Sequence, residues 1–393
     1  MMYELAVLTE EFFVTMHLRK KEFQRKKILV EELGERNLYA QFEKGTKQLM
    51  KELKNLPYRD TFFYKDIYEL NYNYSNHQET NRQKLNGQIL KIATEHLDYF
   101  YLLQKQQFEF AIKSHEKLFK EKIEISTIRK TKVDLQKEPI FNLYQIIIKG
   151  LSVNNNEVYL KLESLFKEKI YELGRNDKVI ILKVLLNYSS RKINEGREKY
   201  YAKMLSLYKF GLKHNLLIEN GLISETTFTN IITIGSYEKE FKWVEQFIEK
   251  TQKYLPLSVQ KDATCSGLSL MFFYKKEQTK TIDLILNHTF SKPLYILKSK
   301  STLLRAFFEL FLNDESYYEL ITAQIKAFEK FIRRNNLISI HRKESYLNFI
   351  LFIQRITEAH WKNSLDQKIY DKLKNTNPVL LKSWLLEKIE TVL

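Results

Sequence analysis

The stretch SETTFTNIITIGSYEKEFKWVEQFIEKTQKYLP, residues 224–256, decides the fold. Phe228, Ile231, Ile232 and Gly235 recur at the spacing of one helical face, and Phe241, Val244, Phe247, Ile248 and Thr251 form a second face that Pro256 brings to an end. One hairpin cannot bury two apolar faces by itself, so neighbouring hairpins must stack on it. The expected fold is therefore all-α, a right-handed α-α superhelix of antiparallel helix pairs.

Outward from this unit, the chain from Pro139 onward divides into helix pairs at about 139–173, 176–220, 224–256, 258–290, 292–336 and 339–393. The starts at 224, 258 and 292 are 34 residues apart. Polar or helix-breaking residues mark the joints: Asn154 to Asn156, Gly174, Gly196, Asn220 with Gly221, Pro256, Pro293, Asn313 with Asp314, and Asn335 with Asn336. Ser224 and Asp314 stand where free helix N–H groups need an acceptor.

Residues 1–138 read as an N-terminal helical region, continuous with a repeat region over 139–393. Leu5, Leu8, Phe12 and Phe13, then Phe23, Ile28, Leu29 and Leu33, then Leu38, Phe42, Leu49 and Leu53 carry helical periodicity. Between these faces runs a basic cluster including Arg25, Lys26 and Lys27, for which interleaved Glu22, Glu31 and Glu32 offer pairing within the helix. Ile89, Ala93, Leu97, Phe100, Gln104, Phe108 and Ile112 continue one apolar stripe along a helix of about 85–121. The polar, basic segment 120–138 is the expected connection between the two regions.

With 393 residues, the chain exceeds the usual size of one compact core, so an array whose core grows lengthwise is favoured. Only 10 Gly and 5 Pro occur, against average usage of about 7% and 5%, too few for a fold made of many tight hairpins. The lone Cys265 excludes an intrachain disulfide framework and fits a reducing cytoplasm. The N-terminal MMYELAVLTEEFFVTMHLRKK places acids among its apolar residues and its basic cluster after them, unlike a secretory leader. No apolar run approaches bilayer length, so a cytoplasmic protein without membrane insertion is expected.

The segment EFKWVEQFIEKTQKYLP, residues 240–256, matches the second half of a tetratricopeptide unit in length, with Phe241, Ile248 and Pro256 at the aromatic, apolar and terminal proline positions. Val244 and Thr251 hold the seats where that repeat carries Ala, which implies wider helix spacing and a degenerate repeat. ELGERNLYAQFEKGTKQLMKEL, PYRDTFFYKDIYEL, LDYFYLLQKQQFEFAI, NYSSRKINEG, NGLISETTFTNIITIG and RKESYLNFILFIQRI extend the likeness over nearly the whole length. Through them the chain resembles helical, tetratricopeptide-like proteins of Bacteroidota with no assigned function. The resemblance implies an architecture and brings no activity.

The motifs of common chemistries are missing from the sequence. There is no HExxH, the eight histidines are scattered, and His96 and Asp98, two apart, point to different helix faces, so no metal site is expected. Gly221, Gly235 and Gly267 lack the Lys-Ser or Lys-Thr pair of a phosphate loop, and no GxSxG elbow occurs. Cys265, on an apolar helix face, is expected to be a small buried thiol. The chain is thus expected to be no enzyme and to need no cofactor.

Two binding functions follow. The first is a scaffold or adaptor whose stacked hairpins hold a protein or peptide partner, with polar and aromatic side chains concentrated on the inner helices. The alternative is an RNA-binding helical repeat, because 64 Lys+Arg against 48 Asp+Glu leave a net charge of +16. That excess is equally the solvated surface of a Lys-rich composition, and Lys lacks the fork of Arg for base and phosphate contacts. Tyr64, Tyr68 and Tyr72 fall at successive four-residue steps, giving either a packed helix interface or an exposed platform for stacking and docking. Tyr68, Tyr72, Arg129, Lys130 and Lys132 are the candidate partner-binding residues.

Overall fold

The structure is a computed structural model that describes Thr9 and residues 21–80, 87–119, 122–123, 138–152, 156–335, 339–364 and 366–392. Seventeen α-helices, three short 3₁₀ turns and one two-stranded hairpin make up the described elements, so the chain is all-α. It divides into two compact units, Met1–Leu185 and Leu186–Leu393. Among the described residues no helix is long and apolar enough to cross a membrane.

The first unit holds α1 (Glu22–Glu35), α2 (Tyr39–Lys54), α3 (Thr61–Thr80), α4 (Gly87–Phe119), α5 (Pro139–Ser152), α6 (Asn156–Glu168) and the start of α7 (Arg175–Asn194). From α1 to α6 each helix packs against the next in sequence. Phe42, Leu49 and Leu53 of α2, Tyr64, Ile67 and Leu70 of α3, Leu103 of α4, and Phe141 and Tyr144 of α5 are buried, as their spacing requires. The basic cluster on α1 does more than pair along its own helix: Lys26 reaches Glu52 of α2 at 2.9 Å, and Lys27 reaches Asp66 of α3 at 2.7 Å. Leu5, Leu8, Phe12 and Phe13 lie outside the described residues.

A buried polar network fills the interior beside α7. The Asp177 carboxylate accepts from the Tyr144 hydroxyl at 2.7 Å and from the Gln107 amide at 3.1 Å, while Thr61 donates to Gln107 at 3.2 Å. Burial and the nearby Asp60 push the Asp177 carboxyl up to about 6, against the opposing effect of the two hydrogen bonds.

The second unit contains the end of α7, α8 (Lys199–Lys213), strands β1 (Ile218–Glu219) and β2 (Leu222–Ile223), then α9 (Glu225–Tyr237) and α10 (Phe241–Thr251). After these come α11 (Leu257–Tyr274), α12 (Gln278–Leu286), α13 (Pro293–Asn313), α14 (Tyr318–Arg334), α15 (Ile340–Trp361), α16 (Gln367–Asn375) and α17 (Lys382–Val392). The pairs α9/α10, α11/α12 and α13/α14 occupy the spans expected for them. Their starts at 225, 257 and 293 are 32 and 36 residues apart, so the period of 34 is not kept. A short 3₁₀ turn, Gln252–Tyr254, tightens the first joint, and a longer loop before Pro293 lengthens the second. The span expected as one last pair, 339–393, holds three helices, α15 to α17.

Asn220 and Gly221 do more than interrupt a helix. Both have positive φ, 51° and 79°, and close a two-residue β-hairpin in which Ile218 pairs with Ile223. Ser224 then accepts the Thr227 N–H at 3.1 Å and starts α9. Within the hairpin Phe228, Ile231, Ile232 and Val244 are fully buried, with Phe247 and Ile248 beside them. Phe241, expected on that core face, is only half-buried, because it stands at the first residue of α10 and sits at the rim. Trp243 is half-buried as well and stacks on Phe247 at 5.8 Å, with Lys209 Nζ over the Trp243 ring at 4.9 Å.

Helix ends in this unit repeat one device. After α9 and α11, Lys239 and Lys276 adopt left-handed φ of 60° and 64°. The next N–H then reaches back across the last turn, Glu240 to Gly235 at 2.9 Å and Glu277 to Phe272 at 3.0 Å. Asn215 and Asn363 end α8 and α15 in the same way, with φ of 54° and 48°.

Candidate functional site

The first helices of three successive hairpins, α9, α11 and α13, pack on one another in order. Together with α15 they line a cavity of about 580 Å³. Each contributes residues at helical spacing. Thr229 and Thr233 come from α9, Ser266, Leu270 and Tyr274 from α11, and Lys298, Ser301, Thr302 and Arg305 from α13. His341, Arg342, Ser345 and Tyr346 come from α15, and Leu380 and Leu381 close one side.

Gly267 brings the first two helices together beneath this cavity: a Cβ there would lie 2.6 Å from Ile232 Cδ1. Thr229 and Thr233 donate to carbonyls one turn earlier on α9, at 2.8 Å each. Their methyl groups and free lone pairs are what they retain for a ligand. The volume is that of a ligand pocket, and the lining is mostly hydroxyl, aromatic and cationic.

The electrostatics are one-sided. Lys298, Arg305, His341 and Arg342 line the cavity, and among the described residues no Asp or Glu does. Arg305 is buried to 3% exposure. Its guanidinium lies 4.3 Å from the Phe273 ring and 5.7 Å from that of Trp384, close to the Tyr274 hydroxyl, and donates to Thr302 Oγ1 at 3.4 Å. Nε has no acceptor, and no carboxylate among the described residues stands at ion-pair distance from the group. Burial lowers the pKa of Arg305 and of Lys298 from their ordinary values. The nearest carboxylates are engaged elsewhere: Glu309 pairs with Lys388 at 2.8 Å, and Glu225 accepts from Tyr295 at 2.8 Å.

A second cavity, of about 800 Å³, is larger but is built around a single hairpin, α11 and α12, with Gln252 of the preceding turn. Cys265 lies on its wall. Expected to be buried, this thiol is half-exposed, because its helix face opens onto the cavity, and it donates to the Leu284 carbonyl at 3.4 Å. Burial of its surroundings still pushes the thiol pKa up, the opposite of what an activated nucleophile needs.

Beside it, buried Asp262 accepts from His288 Nε2 at 2.9 Å, Ser291 N at 2.8 Å, Ser291 Oγ at 3.0 Å and Lys292 N at 3.0 Å. That carboxylate ties down the loop entering α13. Its partners lie 26 to 30 residues away, a separation that no local motif reports. Among the described residues no group of three or more His, Cys, Asp and Glu side chains is placed to hold a metal ion.

Of the residues singled out in the sequence, Tyr68 and Tyr72 lie on α3, with rings 6.4 Å apart and tilted by 34°. Tyr72 is 48% exposed and Tyr68 half-buried, while Tyr64, one step earlier on the same row, is buried. That row therefore runs from core to surface along the helix. Arg129, Lys130 and Lys132 lie outside the described residues. Sequence reading missed Arg305 and Lys298. The signal was present in STLLRAFFELFLN, residues 301–313, where Arg305 is flanked on both sides by apolar residues. No protein-family model, no curated protein and no solved structure matches the chain.

Proposed function

We infer that the chain is a non-enzymatic helical-repeat adaptor of the cytoplasm that holds a peptide segment of a partner protein in the groove of its second unit. The observation that carries this is the convergence of first helices from successive hairpins on one cavity with a polar and aromatic lining. A solenoid presents its ligand surface in this way, with the first helices inside and the second outside. On this reading 139–393 is a degenerate tetratricopeptide-like superhelix, consistent with the sequence likeness to Bacteroidota repeat proteins. Tyr68 and Tyr72 are then a subsidiary contact on the first unit.

Selection of a random displayed peptide library against the full chain tests the reading. A consensus should emerge whose binding is lost on Thr233→Arg or Ser345→Arg and kept on Glu249→Arg, an exposed position of α10. Failure to enrich any consensus, or binding that ignores the groove substitutions, would overturn it. Retention of single-stranded RNA that weakens steeply with added salt would instead favour nucleic-acid binding.

A further inference from the structure

Arg305 poses a specific physical question: a guanidinium is charged at every physiological pH, and this one is out of water with no carboxylate among the described residues at ion-pair distance. Burying an ion is costly unless a partner of opposite sign and enough hydrogen bonds offset it. The Phe273 and Trp384 rings supply cation-π attraction, which acts on the faces of the group. Of the in-plane N–H donors, Nε has no acceptor, Thr302 Oγ1 accepts weakly at 3.4 Å, and the Tyr274 hydroxyl accepts from the group.

The surroundings repeat the pattern. Lys298 lies half-buried on the same helix, near enough to Arg342 of α15 for the two cations to repel, with Glu225 opposing that repulsion. Three cations thus face a cavity whose lining, among the described residues, has no carboxylate but has hydroxyls at Ser301, Thr302 and Ser345. Glu309, one helical turn along, attracts the guanidinium from beyond ion-pair distance, and its own ion pair is with Lys388 at 2.8 Å.

We propose that the Arg305 end of the groove is a phosphate-binding site whose ligand is a phosphomonoester dianion. Three cations match two negative charges better than the single charge of a carboxylate or of a nucleic-acid phosphodiester. A tetrahedral oxyanion also uses hydroxyl donors from several directions at once. The phosphate is carried either by a phosphorylated side chain of the groove-bound peptide or by a free phosphate ester. The proposal rests on the adaptor reading only for the first of these sources.

Thermal melts of the full chain with inorganic phosphate, acetate or sodium chloride at equal ionic strength test the site. At about 20 mM, phosphate should raise the melting temperature by a few degrees and saturate as a single site, while acetate tracks chloride. Arg305→Met should abolish the response and, without phosphate, melt no lower than the parent chain, since an unpaired buried charge has been removed. Should that variant fail to fold, Lys298→Met should weaken phosphate binding by about tenfold in a calorimetric titration.

A phosphate effect no larger than that of chloride, or one unchanged in both variants, would overturn the proposal. In a second arm, a degenerate phosphoserine peptide is compared with glycerol 3-phosphate. Tighter binding of the peptide assigns the phosphate to a partner chain, and equal binding assigns it to a free ester. A site that binds phosphate while peptide selection enriches nothing would sink the adaptor reading and leave this one standing.

Discussion

Val244 of α10 fills the space that a side chain at Gly235 of α9 would need: a Cβ on Gly235 would come within 2.5 Å of Val244 Cγ2. The small residue of this contact stands on α9, and that makes room for Val on α10. The prediction is a swap. Gly235→Ala should destabilise by about 1 to 3 kcal/mol through overpacking, although Ala is the better helix former. Val244→Ala should cost about 2 kcal/mol through its cavity. The double variant should be more stable than the sum of the two losses by at least about 1 kcal/mol, measured by denaturant unfolding. Strict additivity would show that the two residues do not share that space.

The left-handed ends at Lys239 and Lys276 predict an inverted preference. An L-residue with a Cβ loses about 1 to 2 kcal/mol in that conformation, and Gly avoids the loss. Lys→Ala at either exposed site removes the charge and keeps the Cβ, whereas Lys→Gly removes both. The Gly variant should therefore be more stable than the Ala variant by about 1 kcal/mol, the reverse of the order inside a helix. Equal stability of the two variants would remove the strain argument.

These helix ends also explain what could be read from the sequence. Pro256, Pro293 and the Asn220-Gly221 pair act through their own backbone restrictions, so the spans of α9 to α14 follow from the chain itself. Lys239 and Lys276 end helices in a conformation that their identity does not announce, and at those points only the change of apolar face marks the break. The Asn220-Gly221 pair carried a hairpin signal as well as a break. The groove was harder to see. Arg305 lies within a helix whose other residues obey the apolar pattern, and a charged residue there is ordinarily read as turned outward. Its position beside Tyr274, Lys298 and Arg342 comes from stacking three helices, a relation among distant segments that periodicity does not encode.

Asp177 predicts how stability depends on pH. Its pKa of about 6 in the folded chain lies above the ordinary value of 3.8, so the folded state holds the proton more tightly than the unfolded one. The contribution is complete below about pH 4 and is lost as the pH rises through 6, a loss of about 3 kcal/mol by pH 8. Asp177→Asn keeps an oxygen acceptor for Tyr144 and Gln107 without the charge. It should match the parent chain near pH 3 and exceed it by about 2 to 3 kcal/mol at pH 8 in urea unfolding. A difference that does not change with pH would show that Asp177 titrates normally.

Asp262 makes the opposite prediction. Burial alone would raise its carboxyl pKa, but the hydrogen bonds from His288, Lys292 and Ser291 prevail and hold it below the usual 3.8. A depressed pKa contributes stability that is present above about pH 4 and lost as the pH falls through the folded value. Asp262→Ala leaves the N–H groups of Ser291 and Lys292 and the His288 ring without their acceptor, next to the start of α13. The expected loss is about 3 to 5 kcal/mol at pH 7, because a buried, hydrogen-bonded charge is removed and its donors stay behind. The loss should shrink as the pH drops toward 3. Amide exchange separates this role from a general loss of packing: Ser291 and Lys292 should lose protection in the variant before the amides of α9 do. Uniform loss of protection across α9 to α13 would show that Asp262 supports the whole stack and not this loop.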